Sequence, residues 1–83
     1  MGTFEIQDVF DIVGRGIIVI GIVKSGEIST GMWGKIENIT VKVKSIEKTE
    51  GTVEKIKTGE KAGLLLEGIE KKNIKAGQLI LFE

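Results

Sequence analysis

Apolar and polar positions exchange places in short runs along this chain, and the runs are bounded by glycine or by small polar clusters. That is the period of β-strands, and no stretch keeps helical spacing for more than a turn or two. Phe4 to Ile12 is rich in aromatic and β-branched residues, Val13-Gly14-Arg15-Gly16 is a turn, and Ile17 to Lys24 is a second apolar run. The two runs predict a β-hairpin or bulged strand pair. Ser25-Gly26-Glu27 is expected to end the second strand, with Ile28 to Gly31 as a short return and Trp33 to Ile36 as another strand before a turn at Glu37-Asn38.

From Thr40 to Glu47, Val41 and Val43 alternate with Lys42 and Lys44, and the apolar phase then slips by one at Ser45-Ile46. A slip of one reverses the face of a strand, so a β-bulge is expected there. Glu50-Gly51 reads as a turn, Thr52 to Lys57 as one strand anchored by Val53 and Ile56, and Thr58 to Lys61 as a further turn. The last strands are Ala62 to Gly68 and Gln78 to Phe82. Between them Glu70 to Ala76 lacks alternation and suits a single helical turn with Ile74 facing inward.

Gly63, Gly68 and Gly77 punctuate the apolar segments of Gly59 to Leu79, and glycine supplies the backbone freedom that bends and bulges need. Short strands joined by glycine-containing turns predict an all-β fold, a small closed antiparallel β-barrel in which closure removes the exposed edges of so small a sheet. A half-open SH3-like barrel is the nearest alternative. Residues 1–83 form one domain, without proline, low-complexity tract or internal repeat.

Composition narrows the chemistry. A chain of 83 residues buries only about 60–65% of its unfolded surface, so its stability depends on a compact topology. Twelve basic residues balance twelve acidic ones, leaving no whole-molecule field to draw the protein onto nucleic acid or anionic lipid. Any RNA contact is therefore local. With no cysteine and no histidine, disulfides, thiolate nucleophiles, the usual metal ligands and the usual near-neutral base are all missing. The expectation is a non-enzyme without cofactor or metal, and a cytoplasmic one, since no leader pattern opens the chain. Ile17 to Val23, the longest apolar run, is far short of the roughly 20 residues that cross a bilayer as a helix. Met1-Gly2 is not a myristoylation signal, because Ile6 stands where that motif wants Ser or Thr. The preference for Lys, Glu and Ile resembles the composition of hyperthermophile proteins.

Gly14-Arg15-Gly16 has the look of a phosphate loop, but a strand follows it where a dinucleotide fingerprint needs a helix. Gly21 to Gly26 and Gly26 to Gly31 have P-loop glycine spacing and lack its Lys-Ser/Thr. No nucleotide is expected to bind this chain alone. The carboxylates Asp8, Asp11, Glu47, Glu50 and Glu67 show no spacing that sets two over a cleft, and solvated or turn-capping roles fit them better. Phe4, Phe82 and Trp33 are expected in the core or at a barrel end, while Phe10 is open to either packing or base stacking. Lys42, Lys44 and Lys48 are expected on one strand face and Lys71, Lys72 and Lys75 in the excursion, as solvated charges or a phosphate-facing patch.

Asp8-Val9-Phe10, Gly14-Arg15-Gly16, Glu47, Gly63-Leu64-Leu65-Leu66, Gly68-Ile69 and Gly77-Gln78-Leu79 occur in the order seen in the second, β-barrel domain of translational GTPases of the elongation factor Tu type, which the chain resembles from Phe4 to Leu81. In that family the barrel helps hold the aminoacylated CCA end of tRNA and faces ribosomal RNA. The resemblance implies an adenine pocket of Phe10, Ile12, Ile18, Glu47 and Leu65, with Asp8, Gly14 and Arg15 at its rim. Ile20, Ile22 and Glu67 stand where the family carries polar or basic residues, and the loop at Glu37-Asn38 is shorter than usual. Two functions are therefore expected. One is a non-catalytic module that binds RNA, a tRNA acceptor end or ribosomal RNA, or a ribonucleoprotein. The other is a protein-interaction or scaffold module, with a partner such as a GTPase domain, that has lost RNA binding.

Overall fold

A computed structural model describes residues 1–83. Eight strands form: β1 (Gly2–Ile12), β2 (Gly16–Ser29), β3 (Trp33–Ile36), β4 (Ile39–Lys48), β5 (Gly51–Val53), β6 (Lys55–Lys57), β7 (Lys61–Glu67) and β8 (Leu79–Phe82). A single 3-10 turn at Lys71–Asn73 precedes β8. Every pairing is antiparallel, and six strands close in the order β1-β8-β3-β4-β7-β2, with β2 returning to β1. This is a closed barrel and not the half-open alternative. The three-residue strands β5 and β6 lie outside the ring, paired with β4 and with the far end of β2 respectively.

The barrel interior is apolar throughout. Phe4, Ile6, Val19, Val43, Ile46 and Leu64 belong to one continuous cluster, and no polar or charged residue is buried. Ile74, which follows the 3-10 turn, joins that cluster as its sequence position suggested. Backbone bonds between Ile6 and residues 77 and 78 tie the segment after the turn back onto β1.

Four expectations are corrected. β2 does not stop at Ser25-Gly26-Glu27: it bends at Gly26, whose φ is +70°, and continues to Ser29 by exchanging β1 for β6 as its partner. A Cβ at Gly26 would run into the Met1 carbonyl oxygen. The expected single strand from Thr52 to Lys57 breaks at Glu54 into β5 and β6, because Val53 and Ile56 are three residues apart and cannot share one face of a straight strand. Trp33 lies outside the core, 52% exposed, since β3 turns Gly34 and Ile36 inward instead. Lys48 does not continue the face of Lys42 and Lys44: the bulge separates them, and Lys48 pairs with Glu60 at 2.5 Å.

Candidate nucleic-acid interface

Two bulges decide which side chains reach the outer wall of the barrel. In β1 the inward series Phe4, Ile6 would carry on to Asp8 and Phe10 if the strand alternated regularly. The register shifts between Ile6 and Asp8, so Val9 turns inward opposite Val19, and Asp8 and Phe10 turn outward opposite Ile20 and Ile18. In β4 the inward series Val41, Val43 would carry on to Ser45 and Glu47. A shift between Val43 and Ser45 puts Ile46 inside and Glu47 outside. The second bulge is the one the slip at Ser45-Ile46 announced. The first falls in the stretch read as a β-hairpin or bulged strand pair, and the spacing of three between Ile6 and Val9 marks its position.

Across the neighbouring strands β1, β2, β7 and β4, two outward rows result. One is Phe10, Ile18, Leu65 and Ser45; the other is Asp8, Ile20, Gly63 and Glu47. The expected pocket residues Phe10, Ile18, Leu65 and Glu47 and the rim residue Asp8 therefore share one patch. Ile12 pairs with Gly16 at the mouth of the hairpin, Gly14 sits in its turn with φ +84°, and the Arg15 amide bonds the Ile12 carbonyl at 2.9 Å.

Two of the expected pocket residues are nevertheless covered. Ile18 and Leu65 are 6% and 7% exposed, although both lie outside the core cluster. Arg15, just before β2, donates from both terminal guanidinium nitrogens, Nη1 and Nη2, to Glu47 on β4, so the ion pair spans the intervening strand β7, which carries Leu65. The hydrogen bond to Glu47, with the coulombic attraction second, holds the Arg15 guanidinium protonated above its ordinary range. Leu65 lies on the strand that this bridge crosses and Ile18 is its partner on β2, while Phe10 and Ile12 stay solvent-facing.

Open space lies on either side of Arg15 and Glu47. A depression of about 210 Å³ is lined by Ile20, Glu47, Lys48, Thr49, Lys61 and Gly63. Gly63 keeps it open, because a Cβ there would sit 3.1 Å from the tip of Ile20 and 3.2 Å from Ile18. Ile20 stands out in the sequence as an apolar departure from the family pattern, and its place across from Gly63 is not disclosed there. A larger cleft of about 520 Å³ runs beside Arg15 toward the 3-10 turn, where Lys44, Lys71 and Lys72 face Asp11, Glu67 and Glu70. No group of carboxylates is placed to hold a metal ion. The patch offers an exposed aromatic ring, a carboxylate paired with a guanidinium and flanking lysines, a set suited to recognition by stacking and hydrogen bonding.

No protein-family model matches the chain. Among solved structures, a bacterial selenocysteine-specific elongation factor, EF-Sec, superposes with a TM-score of 0.86 at 26% identity, over 96% of this chain and 14% of its own. The apo form of translation elongation factor SelB from Methanococcus maripaludis gives 0.85 at 26% identity, over 95% of this chain and 17% of its own. The chain thus spans about a sixth or less of the length of either factor. A six-strand closed ring, matched along nearly all of this chain by two such factors, has the fold of a translation elongation factor β-barrel and is similar to the second domain of elongation factor Tu.

Proposed function

We propose that this barrel is a non-catalytic translation-factor module that receives an RNA end, from a tRNA acceptor stem or ribosomal RNA, on the outer face of β1, β2, β7 and β4. The observation that carries this reading is the pair of bulges, which turns Phe10 and Glu47 to the same outer face beside Arg15. Phe10 supplies a stacking surface, Glu47 an acceptor for an exocyclic amine, and Arg15 with Lys44, Lys71 and Lys72 the contacts to phosphate. Entry of a base toward Ile18 and Leu65 requires Arg15 to release Glu47 and turn to the RNA backbone.

The test is an NMR titration with a short acceptor-stem RNA ending in CCA at two salt concentrations. Amide shifts are expected at Phe10, Arg15, Glu47 and Leu65, and Phe10→Ala is expected to weaken binding by about 1–3 kcal/mol, the worth of one stacked base. Glu47→Ala weakens it as well, with both variants still folded. Unchanged affinity in both would refute the reading. A protein-docking role draws on one specific feature, the apolar hairpin tip where Phe10, Ile12 and Val13 are 46%, 39% and 99% exposed. It predicts a silent RNA titration and capture of a protein partner, such as a GTPase domain, that Val13→Glu abolishes.

A further inference from the structure

Trp33 is the only tryptophan, and it stands on a different face of the barrel from Phe10. β3 presents Trp33 and Lys35 outward, and the register sets Lys42 and Thr40 of β4 directly across from them. The Lys42 ammonium lies 5.4 Å from the centre of the indole ring, within cation–π range. The indole also lines a groove of about 340 Å³ with Lys35, Thr40, Leu81 and Glu83. Leu81, on the neighbouring strand β8, is itself 46% exposed.

Two lysines flank this ring without an ion-pair partner, and the one carboxylate residue lining the groove is Glu83. The ion pairs of the molecule join Arg15 to Glu47, Lys48 to Glu50 and Glu60, Lys55 to Glu27, and Lys72 to Glu70. Neither Lys35 nor Lys42 takes part in any of them. A surface built to dock a protein is depleted of lysine at its centre. Here two lysines with no carboxylate partner flank an exposed indole, Lys42 resting over one face of the ring and displaced or sandwiched when a base stacks, a combination complementary to a flat ring linked to an anion. We propose that the outer face of β3, β8 and β4 is a second, independent binding surface for single-stranded RNA, with a base stacked on Trp33, phosphates on Lys35 and Lys42, and the Thr40 hydroxyl placed to bond sugar or phosphate.

Indole emission reports on this surface directly. The experiment titrates the full chain with an unstructured oligoadenylate of roughly ten nucleotides, about the span of one barrel of this size. Saturable quenching is expected, and it persists in Phe10→Ala, which separates this surface from the one proposed above. Lys35→Ala with Lys42→Ala weakens the dissociation constant and lowers the steepness of its salt dependence, by about 0.7 per lost phosphate contact. By anisotropy of labelled RNA, Trp33→Leu weakens binding about fivefold to 100-fold while keeping aliphatic bulk. Absence of quenching, or an unchanged dissociation constant in the double lysine variant, would overturn the proposal. Emission that shifts with protein concentration alone would overturn it too, by showing that a second copy covers the face.

Discussion

Glu37 and Asn38 join β3 to β4 with φ of +50° and +69°. Ile36 and Ile39 pair on either side of them, so the loop is the two-residue hairpin turn that needs both central residues left-handed. Asparagine adopts this more readily than glutamate, since left-handed backbone costs most side-chain-bearing residues about 1–2 kcal/mol. Glu37→Gly is expected to stabilise the protein by about 0.5–1 kcal/mol after glycine's own entropic cost is subtracted, read as a higher urea midpoint at unchanged slope. The turn itself was plain in the sequence. The position of Trp33 was not, for a reason that lies in its neighbour. Gly34 holds the inward place, and a Cβ there would be 2.8 Å from the ring of Phe82. The space above Gly34 belongs to a side chain from the far end of the chain, which the alternation of β3 by itself does not reveal.

At the scale of elements, periodicity disclosed the strands wherever apolar residues kept their phase, and the β4 bulge where the phase slipped. It failed where a strand changed partners. β2 is read as ending at Gly26 because a glycine between polar residues usually ends a strand, yet pairing with β6 carries the strand onward. The candidate patch was legible as a set of residues and not as a geometry, because the ion pair between Arg15 and Glu47 joins positions 32 apart in sequence. A second ion pair fastens the turn before β7. Lys48 at the end of β4 donates to Glu60 Oε2 at 2.5 Å, and the Lys57 amide donates to Glu60 Oε1 at 2.7 Å. The hydrogen bond from Lys48, more than that from Lys57, holds the Glu60 carboxyl below its ordinary range. A carboxyl depressed in the folded state stabilises it above the unfolded value, near 4.3, and that contribution disappears as pH falls through the folded value. Glu60→Gln is accordingly expected to melt below the wild-type protein near neutral pH. The two melting temperatures should converge as pH is lowered through the folded-state value of Glu60.

The molecule as a whole is stable because the sheet closes. For 83 residues a net stability of about 4–12 kcal/mol is typical, so single core contacts are a large fraction of the total. Phe4 is fully buried on β1, where β8 and β2 flank it. Phe4→Ala is expected to cost about 3–5 kcal/mol and to leave the chain at the edge of unfolding, measured by its urea midpoint. That closure also brings the two ends of the polypeptide together: Gly2 on β1 lies opposite Phe82 on β8, in antiparallel strands. Both ends therefore leave the barrel from the same spot. A barrel so arranged can be spliced into a surface loop of another protein through one short pair of linkers, or sealed into a circle, without stretching the host or reopening the ring.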